Sequence, residues 1–475
     1  MRSRNSNWLL AVVVIGLSIS GLSAQTKVEG FARGVVIDKV VSQADTNQTY
    51  ALYLPSTYTP GRKFPILYCL DPGARGSLPV ALFKNAAEKY EYIIVGSNNS
   101  RNGPNQSLSD IINVLWDDTH ARFSIDEQRV YAAGFSGGAR VAIALGYSLK
   151  GLIAGIIACS AGYPGNIKLS TPPPFVLFGT AGTDDFNQPE VDALDAALDK
   201  LKAPHQITFF AGGHEWPPAQ LATAALAWME LQAIKTGRSP KDDVRVSKLF
   251  EQAVERARTF ESTGDLYSAY RFYESLVEDF AGLRDVADSE KKVVELRSAK
   301  SVRETLNYEH GLGARQQKLA GEIQTIVLGL KSNQFIEDWS KLRSIIKDLK
   351  SQSRQADDSA DRRIARRSLD QLVIGSFETA VAAHAQRDFR SAAFFLEVAI
   401  EVKPDDPGLL YTLARSYAAG ARKKKAIETL KRAVSAGFCN VSRLQREADL
   451  GPLRNEAGYK EIEEELRKPG CQAKP

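Results

Sequence analysis

Cysteine, histidine and methionine are scarce in this chain, with 4, 5 and 2 residues respectively among 475. So few cysteines in so long a chain exclude a disulfide-built scaffold. Cys69 and Cys159 fall in apolar, strand-like runs and read as small buried residues. Cys439 and Cys471 form a second pair of positions whose pairing is left open. No set of Cys and His has the spacing of a metal site, so neither a metal nor a cofactor is expected. A dominant charge is missing as well: 61 Lys and Arg stand among 56 Asp and Glu, a net of +5. No basic stripe is interleaved with aromatics, which argues against nucleic acid as a partner. Long apolar runs are absent after residue 24, so no later transmembrane span is expected.

The one apolar run lies at the start. Arg2 and Arg4 precede it, it extends from Trp8 to Ile19, and the small residues Gly21, Ser23 and Ala24 close it. A basic beginning, a short apolar core and small residues near a cut site read as a secretory signal peptide over residues 1–24. The protein is then expected to be exported, periplasmic or extracellular. No cysteine follows the run closely, which argues against a lipid anchor.

Gly134-Phe135-Ser136-Gly137-Gly138 is the most informative stretch. The strand-like run Arg129 to Ala133 precedes it and the helix-like run Ala139 to Tyr147 follows it. A serine on a tight strand-to-helix turn presents its hydroxyl above a parallel sheet, and the glycines permit the turn. The N-terminus of the next helix then faces whatever the serine attacks. Such a nucleophile needs a base and an acid to orient it, in the chain order Ser, Asp or Glu, His.

His120 precedes Ser136, and His310 and His384 lie in distant helical sequence. His205 begins a strand-like run, whereas His214 stands in the Gly-rich loop that follows that run. Sites in open α/β sheets gather at this end of the strands, so His214 is the expected base. The acid is expected from the loop after the strand Phe175 to Gly179, where Asp184 and Asp185 compete. The oxyanion formed in the reaction needs backbone donors. One is the N–H of Gly137. The second is expected in Asp71-Pro72-Gly73-Ala74, where proline has no N–H, leaving Gly73 or Ala74.

Residues 48–228 resemble the α/β-hydrolases of the group that holds esterase D, feruloyl esterases and polyhydroxybutyrate depolymerases. The resemblance is carried by Tyr50 to Tyr58, Lys63 to Tyr68, Ser124 to Gly138, and Gly213-His214-Glu215-Trp216-Pro217. It implies Ser136 as nucleophile, His214 as base and Asp185 as acid, since Pro189 follows Asp185 as in the family pattern; Asp184 remains the alternative acid. It implies Gly137 and Gly73 as the oxyanion hole. Two departures stand out. Asp71-Pro72-Gly73 replaces a frequent His-Gly pair, and the loop Gly179 to Asp185 is longer than the usual Gly-Thr-x-Asp.

Strand-like runs are expected near 31–41, 48–55, 64–70, 91–96, 129–134, 152–159, 174–179 and 205–210. Helical runs are expected near 79–90, 107–122, 137–149 and 189–202. This alternation predicts a mostly parallel eight-stranded sheet with helices on both faces. The short stretch from Gly162 to Pro174 is too small for a helical cap, which predicts an open site.

Gly237 to Asp243 reads as a linker, giving an α/β-hydrolase domain over 25–237 that is expected to fold and act alone. Beyond it the chain reads as all-α: a helical region with one repeat-like unit over 244–369, then repeats over 370–468. Ala392, Leu396 and Ala399 recur 34 residues later as Ala426, Leu430 and Ala433, which resembles tetratricopeptide repeats. Gly264-Asp265-Leu266 with Ala269 and Tyr273 resembles another such unit. The expectation is a secreted serine hydrolase that cleaves a carboxylic ester of unspecified identity through an acyl-enzyme, its repeats engaging a protein or peptide partner or the substrate. A serine peptidase or thioesterase would use the same parts. The alternative is an interaction protein whose hydrolase domain is accessory.

Overall fold

The computed structural model describes residues 30–103, 107–165, 167, 169–332, 337–356 and 359–467. The expected signal peptide and Cys471 lie outside these residues. The chain divides between Gly311 and Leu312 into two compact units.

The first unit is built on eight strands: β1 (Val36–Val41), β2 (Thr49–Tyr53), β3 (Phe64–Leu70), β4 (Ile93–Ser97), β5 (Ile125–Phe135), β6 (Gly155–Cys159), β7 (Val176–Gly182) and β8 (His205–Phe210). Their order across the sheet is β1-β2-β4-β3-β5-β6-β7-β8. Only β2 runs against its neighbours; β4 through β8 and β3 are mutually parallel. The sequence marks the central strands clearly. All seven residues of β3 and of β7 are buried, as expected of parallel strands covered on both faces. β5 begins earlier than its apolar run, because Asp126 to Arg129 extend the strand beyond the covered part of the sheet.

Five helices cover this sheet: α1 (Ser77–Tyr90), α2 (Leu108–Arg122), α3 (Gly137–Ser148), α4 (Gln188–Leu201) and α5 (Ala219–Lys235). α2, α3 and α4 bury Leu115, Ile143 and Leu194 against one face. α1 and α5 bury Phe83, Leu226 and Met229 against the other. The described residues between β6 and β7 form neither helix nor strand, so no helical cap is inserted there.

The first unit does not stop at the linker near 237. Helices α6 (Asp243–Ser262), α7 (Leu266–Phe280) and α8 (Ala287–Ser298) belong to it. The reason lies in α5, which is buried nearly all round, as a helix between two layers must be. Its outward residues Leu231 and Ile234 pack with Val246, Leu249, Leu276 and Phe280. Polar contacts cross the same seam. Asp279 accepts from Trp228 Nε1 at 2.8 Å and Gln232 Nε2 at 2.9 Å. Buried Glu230 accepts from Tyr92 at 2.8 Å and is ion-paired with Arg245 of α6.

α9 (Lys300–Lys331) leads into the second unit. There α10 (Glu337–Gln352), α11 (Ala360–Ala385), α12 (Phe389–Val402), α13 (Pro407–Ala419), α14 (Lys423–Ser435), α15 (Val441–Arg446) and α16 (Ala457–Leu466) follow, with a 3-10 turn at Ala448–Leu453. Ala392, Leu396 and Ala399 of α12 and Ala426, Leu430 and Ala433 of α14 are all fully buried in its core. Small side chains at these places let consecutive helices approach closely. Asp388 and Asp406 cap α12 and α13 by accepting from Ser391 N–H and Leu409 N–H.

Candidate active site

β5 ends and α3 begins within one residue, and Ser136 is the pivot. Its φ of 53° and ψ of −118° lie where non-glycine residues are strained, a strain held by the surrounding backbone. Ser136 N–H donates to Cys159 O at 2.8 Å, tying the turn to β6. The two outer glycines are obligatory. A Cβ on Gly134 would overlap the Gly138 carbonyl, and one on Gly138 would overlap the Leu70 carbonyl. The turn can pass under β3 only without those side chains.

Ser136 Oγ lies 3.0 Å from His214 Nε2, and His214 Nδ1 lies 2.9 Å from Asp185 Oδ1. Three strand ends supply the three groups: β5, the loop after β7 and the loop after β8. Asp185 is fully buried and also accepts from Asn187 N–H at 2.8 Å. Asp184 is only half-buried, and its backbone N–H is used to bond Gly212 O at 2.8 Å, which pins the acid loop to the histidine loop. Thus, of the adjacent aspartates, Asp185 directs its carboxylate at the imidazole and Asp184 gives its backbone N–H to the loop seam.

Neighbouring side chains fix the imidazole. Phe135 and Phe186 lie on it, with ring centroids 4.7 and 4.3 Å from that of His214. Ser160 Oγ donates to Glu215 O at 3.2 Å, and Asn187 Nδ2 donates to Ser160 O at 2.9 Å, closing a chain of contacts around the histidine loop. Sequence reasoning missed Phe135, Phe186 and Asn187. Their adjacency to Ser136 and Asp185 was the only available signal.

The loop after β3 differs from expectation. Gly73 N–H, expected as an oxyanion donor, is given to Asp71 Oδ1 at 2.8 Å, and Ala74 N–H to Asp71 O at 3.0 Å. The cause is the fully buried Asp71 carboxylate, which draws donors inward. It also accepts from Arg75 Nε at 2.8 Å, Arg75 Nη2 at 2.9 Å and Trp216 Nε1 at 2.9 Å. Burial alone would push this carboxyl up, but the bonds from Arg75, Trp216 and Gly73 outweigh it and hold it below its ordinary value. Gly137, by contrast, is the first residue of α3, where backbone N–H groups lack partners within the helix.

The remaining described histidines lie elsewhere. His120 stacks on Trp116 at 4.1 Å, and His384 pairs with Asp449 at 2.9 Å in the second unit. His205 Nε2 lies 3.1 Å from Asp195 Oδ1 and 3.5 Å from Asp199 Oδ1. Those three groups are within metal-ligand reach of one another, but the Arg271 guanidinium is ion-paired with Asp195 and offsets one of the two carboxylate charges. Cys69 and Cys159 are buried free thiols, and burial pushes both thiols up.

The phospholipase/carboxylesterase family matches residues 91–179, a span containing β4 to β6, Ser136 and most of β7. The tetratricopeptide repeat family matches residues 383–441. No curated protein sequence matches the chain. Among solved structures, a substrate-bound fluorophosphonate-binding serine hydrolase of Staphylococcus aureus is similar at 15% identity, with 41% of this chain and 97% of that chain covered and a TM-score of 0.34. A Bacillus cereus carboxylesterase is similar at 15% identity, covering 40% and 97%, with a TM-score of 0.32. A ferulic acid esterase of Anaeromyces mucronatus is similar at 20% identity, covering 42% and 92%, with a TM-score of 0.32. The chain therefore joins an α/β-hydrolase fold of carboxylesterase type to a C-terminal helical region with tetratricopeptide repeats. No helix among the described residues is long and apolar enough to cross a membrane.

Proposed function

We propose that the first unit is a serine hydrolase that cleaves carboxylic esters through an acyl-enzyme. The observation that carries this reading is the relay Ser136–His214–Asp185, with separations of 3.0 and 2.9 Å. Ser136 Oγ adds to the ester carbonyl carbon while its proton passes to His214 Nε2, and the C=O π electrons move onto the carbonyl oxygen. Asp185 holds the imidazole tautomer and stabilises the imidazolium. The Gly137 N–H and the positive end of α3 face the developing oxyanion. Collapse breaks the bond to the alcohol oxygen, which takes the proton from His214. Water repeats the sequence on the acyl-serine and releases the acid.

Among the described residues no helical cap lies between β6 and β7, which supports an accessible site. The repeats have the capacity to bind a protein or peptide partner, and export of the chain rests on residues 1–24 of the sequence. Labelling with a fluorophosphonate tests the reading. The full chain is expected to take up one label, and Ser136→Ala to take up none while its thermal transition stays nearly unchanged. Persistent labelling of Ser136→Ala would move the nucleophile elsewhere.

A further inference from the structure

We infer that the side-chain amide of Asn102 supplies the second oxyanion donor, beside the Gly137 N–H. The inference rests on the reading of Ser136 as nucleophile. It starts from Asp71, which holds the N–H groups of Gly73 and Ala74 to its own carboxylate and carbonyl. The loop after β3 thus directs its two expected donors away from the substrate, and a single N–H at Gly137 is a weak oxyanion site.

Asn102 stands where the missing donor is needed. A Cβ built on Gly137 would overlap its amide, whose Oδ1 comes nearest and whose Cγ and Nδ2 each lie 2.8 Å from that point; a half-turn about Cβ–Cγ exchanges the oxygen for the NH2 group. Gly137 opens α3, and at a helix start the Cα–Cβ direction tilts toward the N-terminus, the same side that the Gly137 N–H faces. The amide therefore shares the space in front of the helix with that N–H. This accounts for the glycine after the nucleophile, which the turn itself does not require: any larger residue would displace the amide.

The Asn102 backbone is held firmly. Its N–H donates to Pro72 O at 2.9 Å, and Arg101 forms a bridge with Gly73. The loop after β4 is thus zipped to the loop after β3 at the position where β3-loop donors are missing. Asn102 is exposed, whereas Ser136 is 8% exposed. A carboxamide offers two N–H donors without a charge that would bind an anionic product too tightly.

The full chain, Asn102→Ala and Asn102→Asp are compared with p-nitrophenyl acetate and with a trifluoromethyl ketone, a mimic of the tetrahedral intermediate. Asn102→Ala is expected to lower kcat about 10²-fold with KM changed by less than about threefold, the pattern of an interaction made in the transition state. The ketone is expected to weaken by the same factor as kcat/KM. Asn102→Asp keeps the shape, replaces the donors with a negative charge, and is expected to lose more; it also serves if the alanine variant folds poorly. Folded variants with kcat within about threefold of the parent would overturn the assignment, as would a kcat loss without a matching loss of ketone affinity. If the parent itself takes no fluorophosphonate at Ser136, the nucleophile reading has failed; if it labels and the variants keep their activity, only Asn102 has failed.

Discussion

Trp228 donates its indole N–H to Asp279 at 2.8 Å, joining α5 of the sheet layer to α7 across 51 positions of sequence. This bond sits on a seam lined by Leu231, Ile234, Leu276 and Phe280. A chain cut at 237 keeps all eight strands and the Ser136 relay but bares that seam. Leu231 and Ile234 alone contribute about 3 kcal/mol or more when buried. A fragment of residues 25–311 is therefore expected to unfold cooperatively, and one of residues 25–237 to melt well below it or to aggregate. Equal thermal transitions for the two fragments would show that the seam contributes little.

Asp279 also carries a pH signature. Burial raises its carboxyl to about 7, despite the hydrogen bond from Trp228 and the nearby Lys235. A carboxyl with a raised folded-state value binds its proton more tightly when folded than when unfolded. Its stabilising contribution is present below the unfolded value near 3.8 and is lost as pH rises toward about 7. The loss has an upper bound of about 4 kcal/mol. Asp279→Asn, which keeps the acceptor and removes the charge, is expected to lose less stability between pH 5 and pH 8 than the parent. Denaturant titrations at the two pH values measure it, and parallel losses in both proteins would contradict the assignment.

The elbow makes a steric prediction. Gly138→Ala drives a methyl group into the Leu70 carbonyl. Backbone cannot yield there without moving β3 or α3, so about 1–3 kcal/mol of stability is expected to be lost. Fluorophosphonate labelling of Ser136 should slow as its Oγ turns from the imidazole. A variant as stable and as reactive as the parent would mean that the turn has more room than this contact allows.

Much of this arrangement could be read from the residues in order. The apolar runs of β3 to β7 mark a covered parallel sheet, and glycines around Ser136 mark a turn no bulkier sequence makes. The placement of His214 beside Ser136 could be read because it alone among the histidines follows both a serine turn and a strand in the required order. What escaped was set by side-chain directions. Nothing in Asp71-Pro72-Gly73 reveals that the carboxylate folds back onto the Gly73 N–H, since this depends on Arg75 and on Trp216, a residue 145 positions away. Gly237 to Asp243 resembles a domain boundary because it is polar and short. That α6 and α7 fold back over α5 follows from the outward apolar side of that helix, which sequence periodicity hid because nearly every side of it is apolar.

The choice between adjacent aspartates rests on burial and direction. Asp185 Oδ1 meets His214 Nδ1 at 2.9 Å in a fully buried position, whereas Asp184 is half-buried with its backbone bonded to Gly212. A neutral amide at 185 would present either a donor or a weak acceptor to the imidazole, leaving the wrong tautomer and an unsupported imidazolium. Asp185→Asn is therefore expected to lower kcat about 10⁴-fold with little change in KM. Asp184→Asn is expected to stay within about tenfold of the parent, because the bond it makes to the histidine loop comes from its backbone N–H, which the substitution leaves in place. Steady-state kinetics with one small ester on both variants decides the matter. The reverse ranking would assign the acid to Asp184 and require the loop after β7 to rearrange when substrate binds.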